Sequence, residues 1–316
     1  MLSYIMRRLL IAIPILLGVT ILNFIIINLA PGNPVDMMVD PNLSPEALHA
    51  QKEALGLNDP LYIQYWNWLL NLLQGNLGFS LTTYQPVTEV IMERLGPTLL
   101  LMFLALLVGL LVAIPLGIIS AVKQYSILDY LATGGSFLGI SVPNFFLGLG
   151  LIYIFSIQLG WLPTGGMGTL GGNGGFFDTM FHYVLPVIVL ATGIAGKKIR
   201  YVRSSVIETL GQDYLRTARA KGLKETIVIN KHALRNALIP VITVVGLEIP
   251  LLFAGAVVTE QIFSWPGIGQ LTIGSIMSRD YTTLMGLNLI AAVIVVVANL
   301  LTDIMYSIVD PRIKYQ

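Results

Sequence analysis

Long apolar runs, broken by short polar stretches, set the pattern of this chain. An α-helix rises about 1.5 Å per residue, so about 20 apolar residues cross a hydrocarbon layer of about 30 Å. Six runs reach or approach that length: residues 9–30, 97–122, 130–159, 180–196, 237–259 and 281–302. Within them Glu248 is the sole Asp, Glu, Lys or Arg. The pattern predicts an all-α membrane protein with six transmembrane helices. The third run is long and holds Pro143, which predicts a kink. The first run follows Arg7 and Arg8 but is too long for the apolar part of a signal peptide, and no A-x-A-like site follows it. It is read as a retained anchor. The chain then divides into an N-terminal anchor helix at 1–30, an extracytoplasmic loop region at 31–96 and a five-helix core at 97–309. The core holds a cytoplasmic loop at 197–236, and a cytoplasmic tail follows at 310–316.

The polar stretches carry patterns of their own. "SPEALHAQKEALGL" reads as a helix, with Ser44 as N-cap, Pro45 in the first turn and Glu46 near the positive end of the dipole. "YIQYWNWLLNLLQG" is amphipathic and aromatic, which suits the membrane interface or a docking surface. "GWLPTGGMGTLGGNGG" is glycine-rich and predicts a flexible loop. "WPG" at 265–267 marks a turn before a short apolar helix.

Composition sharpens the membrane reading. Only 11% of the 316 residues are charged, against roughly 25% in an ordinary soluble domain, too few to cover a globular surface. Net charge is +1, which offers nothing toward nucleic acid. There is no cysteine, so disulfides and thiolate zinc sites are excluded. The distribution of Lys and Arg sets the orientation. With the N-terminus inside, the inner segments carry 15 of the 18 basic residues, and only Lys52, Arg94 and Arg279 lie outside. The topology is N-in/C-in.

Six of those basic residues fall between Arg216 and Asn236, in "RTARAKGLKETIVINKHALRN". The inside rule explains the charge but not the pattern. Ahead of it, Val202, Val206 and Leu210 recur at helical spacing until Gly211 interrupts. Asp213 can cap a second, short helix. Ala218, Ala220 and Gly222 are small enough for close approach, and Gly222 permits a positive-φ turn. By pattern alone this fits either a protein-docking helix or a basic helix on anionic lipid.

"DYLRTARAKGL…NKHALRNALIP" resembles the EAA loop of binding-protein-dependent ABC importer permeases, and most of all their dipeptide, oligopeptide and nickel branch. The start "YIMRRLLIAIPILLGVTILNFIIINLAPGNP", "SVPNFFLG", "GAVVTEQIFSWPGIGQL" and the end "NLLTDIMYSIVDPRI" are similar to that branch as well. Arg216 stands where the wider family has an acidic letter, a variant common in the peptide branch. The resemblance implies the type I ABC importer permease fold and a B-type peptide permease subunit. It implies that Asp213, Tyr214, Arg216, Thr217, Ala218, Ala220, Lys221, Gly222 and Leu223 couple the chain to a cytoplasmic ATPase. It also implies a second homologous permease, two ATP-binding subunits, an extracytoplasmic solute-binding protein, and a bacterial or archaeal plasma membrane. ATP and Mg would sit on the partner subunits, with no cofactor on this chain. The cargo that the resemblance implies is di- or oligopeptide, with nickel chelates or another small solute as the alternative.

The chain itself shows no catalytic or metal motif. It has no G-x-x-x-x-G-K-[ST], H-E-x-x-H or G-x-S-x-G, and its three His (49, 182, 232) lie in different loops or loop edges. An ion-coupled secondary transporter predicts inverted repeats and several intramembrane acids. An intramembrane enzyme predicts a paired nucleophile and base. Glu248 is either a pathway residue or the structural partner of a polar group on a neighbouring helix. Pro143 and Asn144 are further pathway candidates, while Asn23, Asn288 and Asn299 suit hydrogen bonds between helices.

Overall fold

The computed structural model describes residues 2–29, 53, 58–169, 171, 175–246 and 248–309. Among these, every regular element is a helix, and one isolated bridge joins Phe79 and Pro86. The helix expected over "SPEALHAQKEALGL" lies outside the described residues. The helices are α1 (Leu2–Leu29), α2 (Leu61–Leu73), α3 (Val87–Val122), α4 (Ile127–Ser141), α5 (Asn144–Leu151), α6 (Phe176–Leu210) and α7 (Asp213–Ala220). They continue with α8 (Glu225–Ile227), α9 (Leu234–Gly246), α10 (Glu248–Ile262), α11 (Ile268–Met277) and α12 (Tyr281–Val309). Two π-helical segments, Ile152–Gln158 and Val228–Ala233, extend α5 and precede α9. Four helices among the described residues are long and apolar enough to cross a membrane, and a fifth span is reached if the bent pair 127–141 with 144–158 is counted as one. The run at 237–259 falls on α9 and α10.

Two expectations change in detail. The third run is not one kinked helix: α4 and α5 meet at 100°. Pro143 is the N-cap of α5, and the residue before a proline is pushed to extended backbone, as Val142 is at ψ 119°. The fourth run is the core of a much longer helix, since α6 continues 14 residues past 196. Its 35 residues span over 50 Å at about 1.5 Å each, well beyond the hydrocarbon layer.

The chain forms two compact units, 98–269 with 297–316, and 1–97 with 270–296. In the larger unit α6 is the central element. Of its most apolar stretch 61% is buried, against 28% or less for the other three long apolar helices. Hydrocarbon offers no hydrophobic drive for helix association, so close approach of backbones must hold them. Glycines provide it. A side chain at Gly109 would meet Ile194 at 2.9 Å, and one at Gly117 would meet Val202 at 2.6 Å. Gly139 of α4 faces Thr192 in the same way. Leu101, Leu190, Leu252 and Trp265 build the core between these helices. Trp265 stacks edge-on to Tyr183.

Glu260 closes the turn between α10 and α11. It is fully buried and accepts hydrogen bonds from Thr98 Oγ1 (2.6 Å) and Gly269 N (2.7 Å). The expected short helix after "WPG" is α11, and Glu260 satisfies an N–H of its first turn. The glycine-rich loop is less free than its composition predicted. Gly166 N donates to Phe263 O at 2.8 Å, Thr169 N donates to Asp178, and buried His182 donates through Nδ1 to the carbonyls of Gly165 and Gly166.

In the smaller unit, Asn288 donates to Asn23 at 3.1 Å, so α12 and α1 carry the expected interhelical hydrogen bond. Asp280 precedes α12 and gathers Ser80 Oγ (2.5 Å), Leu81 N, Thr82 Oγ1 and Thr283 N and Oγ1. Burial pushes its carboxyl up, but the hydrogen bonds from Ser80, Thr283 and Leu81 outweigh burial and hold it below the usual carboxylate range.

Two predictions follow from this packing. Gly117→Val should lower the stability of the detergent-solubilised chain by about 1–3 kcal/mol, read as a drop in thermal midpoint. Gly134→Val, where nothing lies within 4 Å, should move it far less. Because the Asp280 carboxyl is depressed on folding, its stabilisation is present above the unfolded value of about 3.9 and lost as pH falls through the folded one. Stability should drop on acidification below about pH 4, and Asp280→Asn should flatten that part of the curve.

Candidate functional site: the loop between α6 and α9

The basic loop folds on a small core of its own. Leu215 and Ala218, three apart on α7, share one helix face. They pack with Val228 and Ala233, and half-buried Leu210 of α6 lies against them. The opposite face of α7 carries exposed Tyr214, Arg216 and Thr217. The N-cap position is Gln212, not Asp213; Asp213 opens the helix and lies 3.5 Å from Arg216. An acidic residue in the first turn suits the positive end of the dipole.

At the other end Gly222 has φ +78°, and its N–H donates to Arg219 O at 2.9 Å. This is the left-handed turn that glycine ends helices with, and it was expected here. Beyond it Arg219 pairs with Glu225 at 2.8 Å. Through those hydrogen bonds Arg219 holds the Glu225 carboxyl below the usual range. Asn236 Nδ2 donates to Tyr214 OH at 3.0 Å and ties α7 to α9.

Of the nine expected coupling residues, the structure exposes eight. Ala218 is the exception: it is 9% exposed and turned into the loop's own core. Its small size lets α7 sit close to the Val228–Ala233 segment, so its packing is internal. The exposed surface is basic. Among the described residues no carboxylate pairs with Lys221, Lys224, Lys231 or Arg235, all of which are exposed.

The loop is rooted in α6, where two basic residues assigned above to the cytoplasmic loop turn inward. Arg203 grips Asp129 at the start of α4 with two hydrogen bonds of 2.8 Å, Nε to Oδ1 and Nη2 to Oδ2. Ser120 and Tyr125 N also donate to that carboxylate. Lys198 is 1% exposed and pairs with Glu248 of α10 at 2.8 Å. It also donates to Val244 O at 3.1 Å. Sequence reasoning missed Lys198, yet the signal was present. Lys198 precedes Val202 and Val206 at four-residue spacing, on the stripe that turns inward.

The other pathway candidates lie elsewhere. Pro143 is exposed at the α4–α5 break, and half-buried Asn144 opens α5. The Asn144 side chain stands near Gly193 of α6. Among the described residues, no cluster of three His, Cys, Asp or Glu could hold a metal ion.

These features define an integral membrane protein of all-helical permease architecture, with a folded basic loop projecting from one long helix. The family model for the binding-protein-dependent transport system inner membrane component matches residues 113–315, and the N-terminal model for the same membrane component matches residues 1–102. The chain belongs to this family of ABC importer permeases. It is 51% identical to the oligopeptide transport system permease protein AppB of Bacillus subtilis, over 100% of both chains. It is 43% identical to the dipeptide transport system permease protein DppB of Alkalihalophilus pseudofirmus, again over 100% of both. With the glutathione transport system permease protein GsiC of Salmonella typhimurium it shares 39% over the full length of both. Among solved structures, an inward-facing MetNI methionine ABC transporter chain aligns with TM-score 0.57 at 16% identity, covering 70% of this chain and 96% of that one. That likeness supports the fold.

The ion pairs set a stability prediction. Arg203→Met leaves Asp129 buried and unpaired, which should cost about 3–5 kcal/mol in chemical or thermal unfolding. Replacing both partners, Arg203→Met with Asp129→Leu, should recover a large part of that loss.

Proposed function

We propose that this chain is one of two permease subunits of an ATP-driven importer of peptides, and that its α7 docks on a cytoplasmic ATPase. The observation that carries this is the exposed, basic, glycine-terminated α7 in a chain of the permease family. Substrate class rests on the names of the relatives above, which are oligopeptide, dipeptide and glutathione permeases.

In this reading six spans cross the membrane, N-in/C-in: α1, α3, α4 with α5, α6, α9 with α10, and α12. The basic excess of the inner segments supports that orientation. Tyr214, Arg216, Thr217, Ala220, Lys221, Gly222 and Leu223 present the docking surface, with Asp213 at its edge. The unpaired cations favour an acidic groove on the ATPase and steer the approach. Ala218 contributes from inside, by holding α7 on the Val228–Ala233 segment. ATP and Mg belong to two ATPase subunits. A second homologous permease completes the pathway, and an extracytoplasmic solute-binding protein delivers the peptide. Closure of the ATPases would displace α7 and rock the spans as rigid bodies between inward and outward openings. Pro143 and Asn144, at the sharp break between α4 and α5, are the favoured pathway residues. Glu248 is engaged by Lys198 and serves the pathway from behind.

Co-purification of the tagged chain from its native membrane tests the proposal. Wild type should bring down a second permease and two ATPases with measurable ATP hydrolysis. Gly222→Asp places a side chain at positive φ and a negative charge on the basic surface. It should retain the second permease and reduce ATPase recovery by about tenfold, a loss of about 1.4 kcal/mol. Wild type recovered alone, under conditions that preserve comparable complexes, would refute the assignment.

A further inference from the structure

Of the two ion pairs on α6, Lys198–Glu248 is buried, and Arg203–Asp129 joins a buried carboxylate to a half-buried guanidinium whose side chain is 26% exposed. Lys198 is 1% exposed, Glu248 8% and Asp129 3%. Removing paired charges from water returns less than well-packed apolar residues of the same volume would. Stability alone therefore does not explain them. Their placement does suggest a use. Both cations lie on one helix, five residues apart, and each reaches a different neighbour: Lys198 reaches α10 and Arg203 reaches α4. The same helix runs on to Leu210, one turn before α7.

The Lys198 bond is also bidentate in effect. Its ammonium donates to Val244 O and to Glu248 Oε1, groups four residues apart in sequence. Apolar burial between α6 and its neighbours is non-directional and fixes their register only through the fit of side chains such as Ile194 and Val202 against glycine. A buried ammonium held by two acceptors has one register, since any slip of several ångströms strands a charge in a low-dielectric interior.

We infer that Lys198 is a positioning residue for transport: by holding Val244 O at the end of α9 and Glu248 at the start of α10, it locks both to α6 in a single register, so that a displacement of α7 moves α6, α9 and α10 together. The inference rests on the permease reading of the preceding section. Arg203 and Asp129 make the corresponding tie to α4. Glu248 accordingly serves as the fixed end of a mechanical link rather than as a contact for the cargo.

The experiment uses the full importer, chain and partners together, in proteoliposomes with its solute-binding protein and a peptide cargo. The key variant is Lys198→Met with Glu248→Leu, which removes both charges and keeps the volume, so no unpaired ion is left to unfold the chain. Assembly, ATP hydrolysis and peptide uptake are measured on each preparation. The double variant should assemble and hydrolyse ATP near the wild-type rate while peptide imported per ATP falls by about tenfold or more. The exchange Lys198→Glu with Glu248→Lys should recover part of the ratio. A double variant with the wild-type ratio overturns the inference and leaves the permease reading intact. A wild-type complex without ATP-driven uptake refutes the permease reading itself.

A second readout does not use transport. The chain has no cysteine, so Ile188→Cys on α6 and Val258→Cys on α10, both exposed, give it two unique labelling sites. The distance between spin labels there should stay constant between nucleotide-free and ATP-trapped complexes in the wild-type background. It should shift or broaden in the Lys198→Met/Glu248→Leu background. A distance that behaves identically in both backgrounds overturns the locking role.

Discussion

A charge in the interior of a membrane protein has to be matched where it lies, because neither lipid nor packed side chains can solvate it. That constraint organises the larger unit of this molecule. Lys198 and Arg203 occupy inward positions of α6, and each fixes the position of a carboxylate on another helix. Around them the packing is made by absences of side chain: Gly109 and Gly117 admit Ile194 and Val202, and Gly139 admits Thr192. Glycine contacts bring the helices close, and the ion pairs decide the register in which they stay close.

The same logic of satisfied polar groups recurs at the helix ends. Glu260 is buried completely at the α10–α11 turn, and Thr98 and Gly269 supply its donors. Asp280 collects five hydrogen bonds in the smaller unit ahead of α12. In both places an acid does the work of a cap, satisfying backbone N–H groups that lie at a helix start. These two turns, between Ile262 and Ile268 and between Met277 and Tyr281, are short, and in each a carboxylate folded back onto the backbone takes the place of the water that a soluble turn would use.

The helices were legible in the sequence because apolar run length reports directly on bilayer thickness: four of the six expected spans meet the length and composition test among the described residues, and the third does so if its bent pair is counted as one span. The short helix at 213–220 and the positive φ of Gly222 were legible because small and helix-ending residues have local causes. What escaped was anything depending on which face of α6 points inward. Lys198 counted as one more basic residue at a membrane edge, since the inside rule tallies charge without direction. Ala218 was grouped with Ala220 and Gly222 as outward for the same reason: smallness does not reveal whether a residue admits a partner protein or its own chain. Asp129 and Glu260 gave no sign, because the partners that tie them to other helices, Arg203 and Thr98, lie 74 and 162 residues away.

The two kinds of basic residue on this loop therefore have separate physical roles despite adjacent positions. Lys221, Lys224, Lys231 and Arg235 are exposed and lack acidic partners among the described residues. Exposed charges are weakly stabilising but reach outward over about a Debye length, which suits recognition of another surface. Lys198 is buried and Arg203 half-buried, and both are matched by carboxylates of the same chain. Their value is rigidity, because such a pair resists small slips of register. On the docking role proposed for α7, a surface that is soft in its contacts and a shaft that is stiff in its register would together let movement at α7 reach the membrane helices without being absorbed by side-chain rearrangement on the way.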